Sequence, residues 1–98
     1  MRIEQEDNGL KGRFYIKEDD EYPAQMVYLW AGKEKIIIEH TEVDEKYKGQ
    51  GVGMKLLAEL VAWARKEQVK IIPLCPFAKA AMEKRAEEYK DVLYHQGT

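Results

Sequence analysis

Tyr47-Lys48-Gly49-Gln50-Gly51-Val52-Gly53 joins a strand pattern to the strongest helix pattern in the chain. Upstream, Ile36-Ile37-Ile38 is an apolar, β-branched run of the kind that forms a buried strand. Downstream, Gly53, Leu56, Leu57, Leu60, Val61 and Ala64 recur at helical spacing and predict an amphipathic helix over residues 52–67. Three glycines at alternate positions separate the two elements. Glycine permits a tight turn and lets another group come close where a Cβ would block it. The helix start adds unpaired N–H groups and the positive end of the helix dipole. Together these features predict a cradle for phosphate or pyrophosphate. The plainer alternative is a strand-to-helix turn that needs its glycines for geometry alone.

Working outward, the first half of the chain reads as strands. Residues 3–6 form a short candidate ended by the turn signal Asp7-Asn8-Gly9, and residues 13–17 follow, with Phe14 and Ile16 flanking Tyr15. The acidic run Glu18-Asp19-Asp20-Glu21 predicts a solvated turn before Pro23. Residues 24–30 place Met26, Tyr28 and Trp30 on one face and Val27 and Leu29 on the other, and 31–34 read as a hairpin loop into a strand over 35–43. After the helix come a strand over 70–74, a second helix over about residues 76–89, and a tail over 91–98 that fits either a last short strand or a loose end. The expected class is α+β, with a mixed, mainly antiparallel sheet, a strand–helix–strand unit and a second C-terminal helix. A right-handed crossover should lay the 70–74 strand parallel to the 35–43 strand. Pro73 cannot donate to a ladder, so the strand must either sit at an edge or splay from its neighbour.

Composition narrows the function. The 98 residues predict one domain, 1–98, whose 45% hydrophobic content supports a single modest core. A net charge of −2 provides no field for nucleic acid or an acidic membrane surface. The single cysteine excludes an internal disulfide and fits a reducing compartment. No signal-peptide core or membrane-length apolar run is present, so a cytoplasmic protein is expected.

The glycine spacing departs from the dinucleotide fingerprint, and Lys70-Ile71-Ile72 stands where that motif needs an acid. No Gly-Lys-Ser or Gly-Lys-Thr follows the turn either. What Lys48-Gly49-Gln50-Gly51-Val52-Gly53 resembles is the pyrophosphate motif Gln/Arg-x-x-Gly-x-Gly/Ala of the GNAT acyltransferase superfamily, with Lys48 keeping the charge of the first position. Val43-Asp44-Glu45-Lys46-Tyr47 is similar to the lead-in common in that family, and the resemblance runs from about residue 36 to residue 89. Pro73-Leu74-Cys75-Pro76 further resembles the Pro-x-Cys-Pro segment of short, stand-alone GNAT-like proteins. The resemblance implies an acetyl-CoA-dependent N-acetyltransferase acting on an amine acceptor. It assigns cofactor binding to Val43, Lys48, Gly49, Gln50, Gly51, Val52 and Gly53, with backbone amides of 50–53 on the pyrophosphate. It also implies that the two parallel strands splay, admitting the pantetheine arm. The chain is short for the superfamily and lacks the N-terminal helices that usually wall the acceptor site. A CoA-binding module without turnover is therefore the second reading, and an interaction domain without ligand the third.

Two residues carry the candidate chemistry. Cys75 precedes Pro76, and proline favours the first position of a helix, which places Cys75 at the N-cap, where the dipole favours a negatively charged sulfur. It is either an acyl-accepting nucleophile or a small apolar residue closing a buried strand. His40 has the titration range of a general base, or it is a half-exposed strand residue. Strict alternation puts Ile36, Ile38, His40 and Glu42 on one face, and a bulge, common on this strand in the family, would scramble the second half. Glu39 and Glu42 are weaker base candidates. Tyr89 and Tyr94 are candidate acids by resemblance, or amphipathic residues at the core margin.

Overall fold

The computed structural model describes residues 2–95. Five strands form one sheet in the order β1-β2-β3-β4-β5, comprising β1 (Glu4–Asp7), β2 (Lys11–Glu18), β3 (Glu21–Trp30), β4 (Lys35–Val43) and β5 (Lys70–Pro73). The first four pair antiparallel, and β5 lies parallel to β4 after the crossover through α1 (Val52–Glu67). The predicted fold class and the parallel placement of β5 beside β4 are thus the observed ones. The expected single second helix is instead two, α2 (Pro76–Lys84) and a short α3 (Ala86–Tyr89). Arg85, at φ −124° and ψ 46°, breaks the helical path and turns the chain so that Tyr89 and Val92 reach the core. Of the tail, Leu93 forms a parallel bridge with Ile71, and residues 96–98 lie outside the described residues.

Register sorts the side chains onto two faces. On one face, Gly12, Tyr28 and Ile38 form a cross-strand row, as do Phe14, Met26 and Thr41, and then Ile16, Ala24 and Val43. This face packs against Leu56, Leu57, Leu60, Val61 and Ala64 of α1 and Ala78 and Met82 of α2 in a single core. Each fully buried leucine there contributes about 1.5–3 kcal/mol relative to exposure. Gly12 is required by packing, because a Cβ at this position would sit 2.4 Å from the Tyr28 ring and hydroxyl. The space lets Tyr28 join a ring cluster with Phe14, Trp30 and Trp63 at centroid separations of 5.3–6.3 Å.

The other face is left uncovered by α1 and α2. Its rows are Glu6, Arg13, Val27 and His40, then Tyr15, Gln25 and Glu42, then Lys11, Leu29, Ile37 and Ile72.

Two irregularities set these faces. Pairing on β2–β3 steps from Ile16↔Ala24 to Glu18↔Glu21, so β3 has one residue more than β2, and Pro23, which has no N–H to donate, is absorbed there. On β4, Ile38 pairs with Tyr28 and His40 with Val27, which leaves Glu39 as an extra, bulged residue. Strict alternation therefore fails beyond Ile38. Thr41 and Val43 join Ile36 and Ile38 on the covered face, while His40 and Glu42 turn to the open one.

Candidate functional site

Pairing between β4 and β5 ends at Ile38↔Pro73, while β4 continues to Val43. The Leu74 and Cys75 N–H groups both close on the Ile38 carbonyl, at 3.1 and 2.9 Å, and the chain leaves the sheet into α2. Pro73 is thus the last paired residue of the last strand in the sheet. Residues 39–43 of β4 have no β5 partner, so the strands part where the resemblance expected a splay.

Beyond this gap the chain turns through a 3-10 segment, Glu45–Tyr47, into the glycine loop. The loop's start is tied on three sides. Asp44 donates its N–H to the Pro23 carbonyl at 2.6 Å and caps the 3-10 segment by accepting from the Lys46 N–H. Glu18, at the end of β2, bonds Lys46 Nζ at 2.7 Å and accepts from the Tyr47 hydroxyl. These hydrogen bonds, from Lys46 first and then Tyr47, hold the Glu18 carboxyl below its ordinary range, and the same contact raises the Tyr47 hydroxyl.

Gly49 and Gly51 have φ of +82° and +71°, left-handed values that a side chain would strain. A Cβ built on either would meet nothing within 4 Å, so both glycines border open space. Gly51 is the N-cap of α1 and offers no side-chain cap, and no acidic residue lies in the first turn. The first helical bond runs from the Lys55 N–H to the Gly51 carbonyl, which leaves the N–H groups of Val52, Gly53 and Met54 ahead of it. Lys48 is largely exposed and pairs with Glu45 at 3.1 Å.

These groups border a cavity of about 610 Å³ whose opposite wall is the unpaired part of β4, Thr41 to Val43. The predicted residues Val43, Lys48, Gly49, Gly51, Val52 and Gly53 all line it, whereas Gln50 is turned along the loop, its side chain donating to the Lys46 carbonyl at 3.2 Å. Phe77 and Met54 complete the wall, 39% and 37% exposed. Gly53 makes room for Phe77, since a Cβ there would stand 2.8 Å from the ring. Phe77 does not belong to the core cluster. Its place directly after Pro76, in the first turn of α2, is what aims it at the neighbouring helix start.

Cys75 is the N-cap of α2, with its sulfur 3.3 Å from the Ala78 N–H and 3.3 Å from Thr41 Oγ1. It is 3% exposed and belongs to the core cluster. Thr41 was not singled out from sequence, since only the bulge brings it to this face.

His40 is on the far face, 3.7 Å from both Glu39 and Glu42, longer than hydrogen bonds. It borders a second cavity of about 480 Å³ with Arg13, Gln25 and Val27. The structure therefore separates His40 from Cys75 by the thickness of the sheet. Cys75 lines neither cavity, and the Thr41 hydroxyl, 3.3 Å from its sulfur, is the contact that links it to the glycine-loop cavity.

Tyr89 is buried in the core, where burial, with Glu88 close by, raises its hydroxyl. Tyr94 stacks under Lys35 at 4.7 Å and donates its N–H to the Ile71 carbonyl. Neither tyrosine lines the glycine-loop cavity. Among the described residues no cluster of three or more His, Cys, Asp or Glu side chains forms a metal site, and no helix is long and apolar enough to cross a membrane.

Comparison with known proteins bears on this geometry. A family model described as GCN5-related N-acetyl-transferase matches residues 13–92. The solution structure of a GCN5-like candidate N-acetyltransferase from Staphylococcus aureus is 38% identical, with a TM-score of 0.73 over 96% of this chain and 90% of that one. A ribosomal-protein-alanine N-acetyltransferase from Brucella melitensis shares 13% identity and a TM-score of 0.60, over 93% of this chain and 67% of that one. A tetramutant of the BH1408 protein from Bacillus halodurans shares 17% identity and a TM-score of 0.53, over 92% and 64%. The last two are likenesses of fold alone. A search of curated proteins gave no match.

Proposed function

The chain belongs to the GCN5-related N-acetyltransferase family, and from that premise we propose that it transfers an acetyl group from acetyl-CoA to an amine acceptor. The observation carrying this reading is the α1 N-terminus. It has no side-chain cap, two left-handed glycines precede or form its cap with open space where a Cβ would stand, and it faces the unpaired half of β4 across one cavity. A diphosphate suits such a site, because backbone N–H groups and the helix dipole both favour negative charge. Gly49 and Gly51 allow the close approach, Val52, Gly53 and Met54 supply N–H donors, and Lys48 adds an exposed positive charge. Val43 and its strand neighbours offer a backbone edge to an extended arm, and Phe77 with Met54 gives that arm an apolar wall.

When bound, acetyl-CoA supplies an acetyl group activated as a thioester. The protein's part is to hold that group beside residues 39–43 and to manage one proton. His40 is placed to take the proton from an ammonium arriving on the open face. Cys75, approaching from the covered face, is the residue for a covalent relay, its sulfur oriented by the Ala78 N–H and the Thr41 hydroxyl. The lone thiol and the cofactor choice both support a cytoplasmic setting.

The test is thermal unfolding with CoA, followed by intact mass after incubation with acetyl-CoA alone. Ligand at 100 times its Kd adds about 2.7 kcal/mol, which for a domain of this size raises Tm by roughly 10–20 °C. Pantetheine, which lacks the diphosphate, should give little of that shift. An unchanged Tm with saturating CoA would overturn the assignment. A mass gain of one acetyl group, lost in Cys75→Ala, would mark the covalent route. Binding with no turnover across an amine panel would instead favour the non-catalytic module.

A further inference from the structure

The open face of the sheet carries a second cavity, of about 480 Å³, which the cofactor reading does not use. Its polar groups are unevenly satisfied. The Arg13 guanidinium bonds Glu6 at 2.6 Å and Gln25 at 2.9 Å and stacks over the Tyr22 ring at 4.1 Å. Asp7 lies opposite Gly12 in the covered-face row, and its carboxylate accepts from the Tyr28 hydroxyl at 2.6 Å, from Trp30 Nε1 and from the Gly9 N–H, so neither acid at this end is left for the cavity. Burial raises the Asp7 carboxyl, and these three hydrogen bonds more than offset it and keep it ionised. Lys11, bordering the same end, makes no ion pair among the described residues. At the other end His40 stands between Glu39 and Glu42, each 3.7 Å away. The cavity thus has a spare positive charge on β2 and a carboxylate-flanked imidazole on β4, two strand spacings across the sheet and two residues along it, roughly 12 Å apart, with Val27 as an apolar floor between them.

The two cavities also back onto consecutive residues of one strand. His40 borders the open-face cavity, and Thr41 to Val43 border the cofactor cavity, all within the part of β4 that lacks a β5 partner. We propose that the open-face cavity is the acceptor site, and that it takes a small zwitterionic amine, with its ammonium at His40 and its carboxylate at Lys11. This rests on the acetyltransfer reading, and the placement of charge deepens it to a substrate class. A plain alkylamine would leave Lys11 without a partner, and a diamine would bring a second cation against it.

The experiment is backbone-amide NMR of the full chain, titrated separately with CoA, 6-aminohexanoate, hexylamine, hexanoate and 1,6-diaminohexane. The expected result is that 6-aminohexanoate shifts the amides of Lys11, Arg13, Val27 and His40 while CoA shifts those of 49–53. Two exposed charge contacts in place of one predict an affinity about two- to fivefold above hexylamine or hexanoate. Lys11→Gln should bring the ratio of 6-aminohexanoate to hexylamine affinity close to one. Equal or tighter binding of hexylamine or 1,6-diaminohexane overturns the zwitterion assignment. Shifts by CoA at 49–53 with no open-face response to 6-aminohexanoate overturn the acceptor site and leave the acetyltransfer reading intact. An open-face response in a protein that CoA does not shift supports the cavity as a zwitterion site and sinks the transfer reading from which its acceptor role follows.

Discussion

Four glycines among the described residues have left-handed backbones and open space where a Cβ would be, and they provide an internal control for the cofactor site. Gly9, Gly32, Gly49 and Gly51 have φ of +89°, +94°, +82° and +71°, and a Cβ on any of them meets nothing within 4 Å. Alanine at each should therefore destabilise by the same cause, the left-handed strain of an L-residue, at about 1–2 kcal/mol. For a domain of this size each kcal/mol lowers Tm by roughly 4–8 °C. Of these four, Gly49 and Gly51 border the glycine-loop cavity, whereas Gly9 and Gly32 border a different hollow beside Trp30. If backbone N–H groups at the α1 start hold a diphosphate, Gly51→Ala should disturb one or more charge-assisted hydrogen bonds worth about 1.5–3 kcal/mol each. CoA affinity should then fall roughly 10- to 150-fold. Gly32→Ala should lose as much Tm and no affinity. Isothermal titration with CoA and circular-dichroism melts of the two variants, in one buffer at one ionic strength, separate strain from blockage. Equal CoA affinity in folded Gly51→Ala and Gly32→Ala would refute the cradle.

Three further outcomes follow from contacts elsewhere. Cys75→Ala removes the acceptor that caps α2 and should cost about 0.5–2 kcal/mol in urea unfolding, while Cys75→Ser restores most of it; at 3% exposure the wild-type thiol should label slowly with iodoacetamide, and fast labelling blocked by CoA would show that it reaches the cofactor. The Glu18 carboxyl is held below its ordinary value of 4.5 by Lys46 and Tyr47, so its contribution to stability is complete above that pH and disappears as pH falls through the lowered value. Urea midpoints at pH 7 and below pH 4 should accordingly converge in Glu18→Gln relative to wild type. Gly12→Ala forces a Cβ to within 2.4 Å of the fully buried Tyr28 and should cost about 1–3 kcal/mol, read as a lowered Tm.

The sequence made most of the architecture legible because its period signals were strong. Ile36-Ile37-Ile38, the helical spacing from Gly53 to Ala64, and the glycines between them set the parallel crossover that the structure shows. The Cys75-Pro76 step marked the α2 start, because a proline at the first helical position leaves little other place for the cap. What pattern could not locate was the residue of the bulge. An extra residue in one strand changes no composition and leaves both halves of β4 looking alternating, yet it decides whether His40 or Thr41 meets Cys75. The break at Arg85 was hidden for a similar reason, since Arg, Ala and Glu are all good helix formers and the turn is imposed by the burial of Tyr89 and Val92. The Glu18–Tyr47 contact joins residues 29 apart in sequence and leaves no local signature at all.

The bridge between Leu93 and Ile71 has a bearing on what the sheet's last edge offers to another chain. An open strand edge is a template on which another chain can add. Here the Ile71 N–H is taken by the Val92 carbonyl at 2.7 Å and the Ile71 carbonyl by the Tyr94 N–H at 2.9 Å, so the chain's own last described residues occupy the β5 margin. The opposite margin, β1, reads Glu-Gln-Glu-Asp and repels a second copy of itself by charge. A chain cut short before Val92 would keep every residue of the glycine loop and still expose the β5 backbone, which makes intermolecular strand pairing and aggregation its expected failure, ahead of any loss of the cofactor cavity.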